Sequence, residues 1–406
     1  MSNQRADYLT LHDAMHRLGV SRSTFDRWRR MKQLPYIKIG KEIWIDPAEL
    51  ERWVKYHASG VPYSHIRSSS GSIGSLRPEA ETITVGYQSG AAHTWTALLM
   101  KELGWFEEEL AKLTGSPAVQ VRWLDSTANG PVLLKGLIGG SIQLASLGDY
   151  PMALGFGLSR LLPDFRPLLL AFDGKTAGGQ GISLVLRRGL TLRGASQLTG
   201  LKLYSVAQSS GSRRISRLLQ ELGGGSGQLE HREMNESMAA LVERQVDGCV
   251  LTEPYLSLVR QHGTGQVLFP EGIGGDYLTG LIVDESWALH HRPQVVAYLK
   301  AHLRVHLLMR EEPARAAKLI ARIKGLPASV VARIMEQVRW DAALYSKDLQ
   351  TLERLYRENS YAEGHIGGME GDIRYASDYL QQAAKALKLP LPVDQPFDGE
   401  WLREQL

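Results

Sequence analysis

A Ser/Gly-rich break, Ser68-Ser-Ser-Gly-Ser-Ile-Gly-Ser-Leu-Arg-Pro78, divides this chain into two parts with different periodicities. Such a composition reads as a flexible linker, so no single core is expected to run across it. Before the break, apolar residues recur at helical spacing. After it, short β-like runs alternate with polar loops and helices. The 406 residues also exceed what one ordinary core holds. The expected division is a first domain over 1–57, a linker over 58–80 and a body over 81–406.

Charge is unevenly placed. Residues 1–60 hold 11 Lys/Arg against 7 Asp/Glu, which accounts for the whole formal net charge of +4. Basic surplus beside a helix is the footprint of phosphate contact, although a solvated surface helix has the same composition. No uninterrupted apolar stretch of about 18 residues occurs, so no membrane partner is expected. The polar start, Met1 to Asp7, is followed by no apolar signal core. The single cysteine, Cys249, forbids a disulfide within the chain and is expected to be a buried thiol. A cytoplasmic location is the expectation.

The first domain has the punctuation of a compact helical unit. Thr10 and Asp13 form a helix-start signature. Leu11, Ala14, Met15 and Leu18 then share one face, and Gly19 ends the helix. Ser21 is placed to cap a second helix, to about Met31, in which Phe25 and Trp28 face the first. Arg22, Ser23, Arg27 and Arg30 remain outward. Ile37, Ile39, Ile43 and Ile45 alternate around Gly40-Lys41 as in a hairpin whose tip carries Lys38 and Lys41. Asp46-Pro47-Ala48-Glu49 starts a third helix, with Leu50, Trp53 and Val54 inward.

The Leu18-Gly-Val-Ser-Arg-Ser-Thr-Phe-Asp-Arg-Trp28 turn and helix, the Ile39-Gly-Lys-Glu-Ile-Trp-Ile45 wing and Asp46-Pro-Ala-Glu-Leu-Glu-Arg-Trp53 resemble the winged helix of the MerR/excisionase family. That resemblance implies double-stranded DNA as a partner. The Ser21–Met31 helix would read the major groove and the wing would touch the backbone. Arg22, Ser23, Arg27, Arg30, Lys38 and Lys41 become the candidate DNA contacts. The long coiled-coil helix that dimerises MerR proteins does not follow. An operator-binding homodimer or higher oligomer is expected to assemble through the body instead.

In the body, Thr82–Tyr87, Val119–Leu124, Ser141–Ser146, Ile182–Leu186, Lys202–Val206 and Val246–Leu251 read as strands. Each leads into a polar loop and a helix, which argues for parallel sheets covered by helices. Ligands of such sheets bind beyond the carboxyl ends of the strands. The Ser209-Ser-Gly-Ser212 turn favours an anion, or it is ordinary capping by Ser210 or Ser212. Glu253 is a pocket carboxylate or the dipole partner of the following helix.

Gly86-Tyr-Gln-Ser-Gly90, Gly139-Gly-Ser-Ile-Gln-Leu-Ala-Ser-Leu-Gly-Asp149, Ser209–Ser212 and Val246-Asp-Gly248 with Thr252-Glu-Pro-Tyr255 together resemble the nitrate/sulfonate/taurine-type substrate-binding proteins of ABC transporters. The resemblance implies an α/β, two-lobed, type II periplasmic-binding fold. One lobe would comprise about 81–178 and 273–406, the other about 182–270. It also supplies the ligand-site candidates Ser89, Gly90, His93, Asp125, Ser126, Asp149, Tyr150, Ser209, Ser210, Ser212, Glu253 and Asp276. Several carboxylates beside an anion-friendly turn suit a zwitterion or small cation, such as a taurine-like sulfonate or an amine.

His302 and His306 stand four apart on a helix, a spacing that can bind metal. With no cysteine near and an amphipathic helix around them, they are read as core residues, and no metal or other cofactor is assigned. No P-loop or nucleophile elbow is present. A sensor of a small-molecule effector, and not an enzyme, is the expectation. The alternatives are a transport receptor and, further off, a pyrimidine-forming enzyme, for which one cysteine is too few.

The DNA reading gives a direct test. Gel-shift affinity of an R22A/R27A variant should fall steeply, by about 1–3 kcal/mol for each arginine that reads a guanine. Wild-type binding should weaken with added salt. Unchanged affinity in the double variant would remove the recognition helix.

Overall fold

The computed structural model describes residues 82–113, 119–224, 229–362 and 373–390 of the body, and residues 9–18, 20, 22, 25, 26, 34, 36–39, 42–45, 47, 50 and 54 of the head. The proposed linker and Ser23, Arg27, Arg30 and Lys41 lie outside the described residues, as does the side chain of Lys38.

In the head, β1 (Leu9–Thr10) leads directly into α1 (Leu11–Leu18). The helix start is closed reciprocally: the Thr10 hydroxyl accepts from the Asp13 N–H at 3.1 Å, and the Asp13 carboxylate accepts from the Thr10 N–H at 3.2 Å. The expected hairpin is present as β2 (Ile37–Ile39) antiparallel to β3 (Glu42–Ile45), with Lys38 opposite Ile43. β1 adds to the other edge of β3, which a two-residue strand is too short to announce in sequence. Ala14, Leu18, Val20, Phe25, Leu34, Ile45 and Leu50 close a small core. Arg22 is exposed and stands 3.5 Å from Asp26.

The body has two sheets. The first, in the order β14-β7-β13-β6-β4-β5, contains β4 (Thr82–Tyr87), β5 (Gln120–Asp125), β6 (Leu144–Gly148), β7 (Pro167–Thr176), β13 (Tyr277–Asp284) and β14 (Arg339–Trp340). The second, in the order β10-β9-β11-β8-β12, contains β8 (Ile182–Arg187), β9 (Leu203–Ser205), β10 (Leu229–His231), β11 (Gly248–Thr252) and β12 (Gly265–Val267). Strands joined by helices within a lobe are parallel, as β4 is to β5 and β6 and as β9 is to β10 and β11. β13 and β8 run antiparallel to their neighbours. Each begins after the chain has crossed from the other lobe and so enters its sheet from the opposite end. The sheets are therefore mixed.

The crossings are Ala177–Gly181 and the segment around 268–276. Gly179, with φ +72°, and Gly272, with φ +102°, lie so close that a Cβ on either would strike the backbone of the opposite segment. Both positions need glycine's left-handed freedom and its missing side chain.

Helices cover both faces of the first sheet. On one side α2 (Trp95–Leu103), α3 (Trp105–Ala111), α10 (Arg292–Glu311) and α14 (Ser377–Ala386) pack around Trp95, Leu99, Phe106 and Tyr298. α10 is buried along most of its 20 residues because α3 and α14 flank it. On the other side α4 (Gly130–Ile138), α5 (Asp149–Leu158) and α13 (Ser346–Ala362) enclose Leu133, Phe156, Phe172 and Leu352. Burying each such side chain contributes about 1.5–3 kcal/mol. In the second lobe Cys249 is buried, with its thiol pushed up to about 12 by desolvation. Among the described residues no helix is long and apolar enough to cross a membrane.

One ion pair inside the first lobe is nearly dry. Lys175 Nζ on β7 meets Asp348 on α13 at 2.6 Å, with side chains 1% and 6% exposed. Asp348→Asn should lower stability by about 3–5 kcal/mol, because it strands the lysine charge, whereas a K175M/D348L pair should cost far less. Urea unfolding of the three proteins checks this, and equal losses in both variants would contradict it.

Candidate functional site

The carboxyl ends of β4, β5 and β6 face those of β9 and β11 across the gap between the lobes, so the loops that follow these strands converge there. In the first lobe the loops after β4 and β5 hold each other. Asp125 accepts from the N–H groups of Ser89 and Thr127 at 3.1 and 2.8 Å, and Gly90 N–H donates to the Thr127 carbonyl at 2.6 Å. Ser126 N–H is tied back to the Tyr87 carbonyl. At the end of α11 (Pro313–Lys324), the Lys324 ammonium donates to the Ser89 hydroxyl at 2.9 Å. Burial lowers this lysine's pKa, and Asp125 nearby opposes that shift.

In the second lobe Ser209 caps α6 (Ser210–Glu221) by accepting from the Ser212 N–H at 3.1 Å. Ser210, at the start of the same helix, lies 3.4 Å from the Tyr150 N–H of the facing lobe. One turn later, on the same face, Arg214 reaches across to Asp149 at 2.7 Å, with side chains 9% and 3% exposed. Its guanidinium also donates to the carbonyl of Asp276 at 3.0 Å and stacks 5.3 Å from the Tyr277 ring centre. His93 packs edge-on against the other side of this site, 4.6 Å from Tyr277, with Nε2 3.1 Å from the Thr176 hydroxyl.

The structure thus brings Ser89, Gly90, Asp125 and Ser126 into one patch and His93, Asp149, Tyr150 and Ser210 into another, with Ser209 and Ser212 behind the latter. Asp276 lines the cavity beside the second patch, and Glu253 is turned into its own helix start. Glu253 accepts from the Ser257 N–H at 3.0 Å at the start of α8 (Tyr255–His262) and faces Arg260 at 3.4 Å, with its pKa raised by burial. Asp276 accepts from the Gly178 N–H at 3.0 Å and stands 3.7 Å from Lys347. Each expected carboxylate therefore already has a partner within the chain.

The sequence reading missed Arg214, Tyr277 and Lys324. For Arg214 a signal was available, since it lies four residues after Ser210 and so on the same helical face. No local signal marks Tyr277 or Lys324, which arrive from distant segments.

Beside the Asp149–Arg214 pair lies a cavity of about 430 Å³ between α6, α13 and residues 273–276. Its lining includes Arg213, Arg217, Arg354 and Glu358 as well as the pair itself. Arg217 bridges the lobes to Glu358 at 2.5 Å. On the far edge, Asn129 donates to Glu233 at 2.8 Å. These contacts, together with the Ala92 N–H that donates to the Glu253 carbonyl at 2.9 Å and Arg213 that donates to the Glu358 carbonyl at 3.3 Å, join the lobes.

Residues 8–56 match a sequence family described as a helix-turn-helix domain. No functionally curated protein matches the chain. By structure the body is similar to the alkanesulfonate-binding protein SsuA from Xanthomonas axonopodis pv. citri, solved bound to MOPS. The TM-score is 0.56 at 20% identity, over 70% of this chain and 94% of that one. It is similar also to the periplasmic aliphatic sulphonate binding protein SsuA from Escherichia coli, with TM-score 0.54 at 19% identity over 73% and 96%. The periplasmic nitrate-binding protein NrtA from Synechocystis PCC 6803 gives 0.56 at 13% identity over 79% and 93%. At such identities the likeness establishes the fold alone: a two-lobed body with the fold of these proteins, behind the segment that matches the helix-turn-helix family.

Burial, and secondarily the Arg214 charge, hold His93 down to about 3. The unfolded chain therefore takes up this proton first as pH falls. The associated stability is complete above about pH 6.5 and is lost progressively toward pH 3. Between pH 7 and 4.5 the wild type should lose about 2–3 kcal/mol more than His93→Gln, measured by urea unfolding at both pH values. Parallel losses would contradict the assignment.

Proposed function

We propose that the chain is a one-component transcription regulator, acting in the compartment that holds DNA, whose body senses a small polar molecule and alters DNA binding by the head. The observation that carries this reading is the course of α5. Its first residue, Asp149, makes the ion pair to the second lobe, and its ten residues span about 15 Å. Directly after it, Arg160 to Pro163 face Arg17, Leu18, Pro47, Leu50 and Val54 of the head. Leu161 and Val54 pack with the cores of both units. A ligand that changes how the lobes meet at Asp149 would act on the element that supports the head.

The ligand is a small zwitterion or sulfonate-like anion. Asp149 is already matched by Arg214, so a plain cation finds no unmatched carboxylate there. Arg354, by contrast, lines the cavity without an ion-pair partner among the described residues. An anionic end at Arg354 and Arg214, with an ammonium end toward Asp149 or Glu358, satisfies this lining. The named substrates of the structural neighbours, sulfonates and nitrate, support an acidic group on the ligand. Ligand shifts DNA affinity only by preferring one lobe arrangement over another. A homo-oligomer presents two heads to a two-fold operator. No catalytic role is assigned.

Calorimetry with a panel of aminosulfonates, alkanesulfonates and nitrate, paired with operator binding with and without ligand, tests the reading. Asp149→Asn should abolish the ligand response, so that operator affinity takes one value with and without ligand. Light scattering should give a dimer or larger at operator-binding concentrations. Ligand binding that never changes operator affinity or transcription would sink the sensor reading and favour a transport receptor.

A further inference from the structure

We propose that Asp173 on β7 and His302 and His306 on α10 form a binding site for a divalent transition-metal ion of the zinc class, inside the first lobe and separate from the ligand cleft. All three side chains are buried, and one potential ligand atom from each lies within 4.8 Å of the others. The two imidazoles are adjacent on one helical face, with ring centres 4.3 Å apart.

His302 has its ring already oriented for coordination. Nε2 lies 2.9 Å from the Phe172 carbonyl, which can only accept, so this nitrogen carries the proton and Nδ1 carries the lone pair. That Nδ1 has no hydrogen-bond partner. A ligand histidine whose second nitrogen donates to a backbone carbonyl is the usual supporting arrangement of a metal site. His306 Nε2 stands 3.5 Å from Asp173 Oδ1. This is long for an N–H···O bond, which centres near about 2.9 Å. It is close to the roughly 3.3 Å edge of a tetrahedron with metal–ligand bonds of about 2.0–2.1 Å.

The remaining polar atoms are also short of partners. Oδ2 of Asp173, Nδ1 of His306, the Tyr298 hydroxyl and Trp340 Nε1 accept or donate no hydrogen bond. Tyr298 and Trp340 flank the two histidines, with ring centres 6.3 and 6.4 Å away. Of these, Asp173 Oδ2 and the imidazole lone pairs can ligate a cation, whereas Trp340 Nε1–H only donates and stands outside the coordination set. The Thr96 hydroxyl donates to Asp173 Oδ1 and orients the carboxylate. Two neutral imidazoles and one carboxylate make a donor set that suits Zn²⁺, Co²⁺ or Ni²⁺ rather than Mg²⁺ or Ca²⁺. The bound ion would pin α10 to β7 three residues before the first crossing between the lobes.

Because the site is enclosed, the ion would enter during folding. The test therefore uses the full chain, unfolded in chelator and refolded with and without excess Zn²⁺ or Co²⁺, then gel-filtered. Expected results are about one equivalent of metal by elemental analysis, a visible ligand-field absorption for the Co²⁺ form, and a melting temperature several degrees above that of metal-free protein. His306→Gln and Asp173→Asn should lose at least about tenfold in Co²⁺ affinity, together with the absorption. Should these variants not fold, the wild-type spectrum and stoichiometry decide alone. Wild type that refolds with excess metal yet retains less than about a tenth of an equivalent, with no spectrum and no thermal shift, overturns the proposal. So does metal retention unchanged in both variants.

Discussion

The Asp149–Arg214 pair is the contact on which the arrangement of the two lobes depends. Both groups are almost fully removed from water and belong to different lobes. A buried charge that loses its partner costs about 3–5 kcal/mol. The lobes can part only if water or a ligand replaces each half of the pair. The more exposed bridges, Arg217–Glu358 and Asn129–Glu233, sit at the rim, where screening leaves each worth little on its own. They define how the lobes align once the central pair has formed.

The position of that pair in the chain gives it reach beyond the cleft. Asp149 opens α5, and the residues after α5 carry the contact with the head. The rest of α5 is packed against α13 and the first sheet, so it moves as a piece rather than bending. The crossings at 177–181 and 268–276 pass each other backbone to backbone at Gly179 and Gly272, where no side chain fits.

Buried polar groups in this body fall into two kinds. Some have their charge matched: Asp125 by two N–H groups, Glu253 by a helix start and Arg260, and Lys175 by Asp348. Around Asp173 the matching is partial: Thr96 donates to Oδ1 and His302 Nε2 meets the Phe172 carbonyl, but Asp173 Oδ2 and the Nδ1 atoms of His302 and His306 have no partner. The matched groups fix loop positions. The unmatched ones account for the metal-site reading, and sequence spacing alone pointed the other way, to an ordinary amphipathic helix. Asp173 lies more than a hundred residues from the histidines, and only the packing of α10 on β7 brings it to them.

Sequence alone determined what local periodicity and punctuation encode. The Thr10–Asp13 helix start, the hairpin of alternating isoleucines and the strand-loop-helix rhythm of the body are all short-range patterns, and each is present in the folded chain. The helix-turn-helix head and the two-lobed body were legible for that reason. Capping at the Ser209–Ser212 turn was legible too, but the residue was not: Ser210 or Ser212 was expected, and Ser209 makes the bond. What only the tertiary structure decided is how charges pair across distance. Asp149 and Asp276 read as ligand carboxylates, yet each meets a partner from another element, and Glu253 takes the second of its two readings, at the start of the following helix. Pairing depends on which helix faces are pressed together when apolar surface is buried, and that is set by the whole core rather than by neighbours in sequence. The antiparallel entry of β8 and β13, and the meeting of Leu161 with Val54, follow from the same long-range packing.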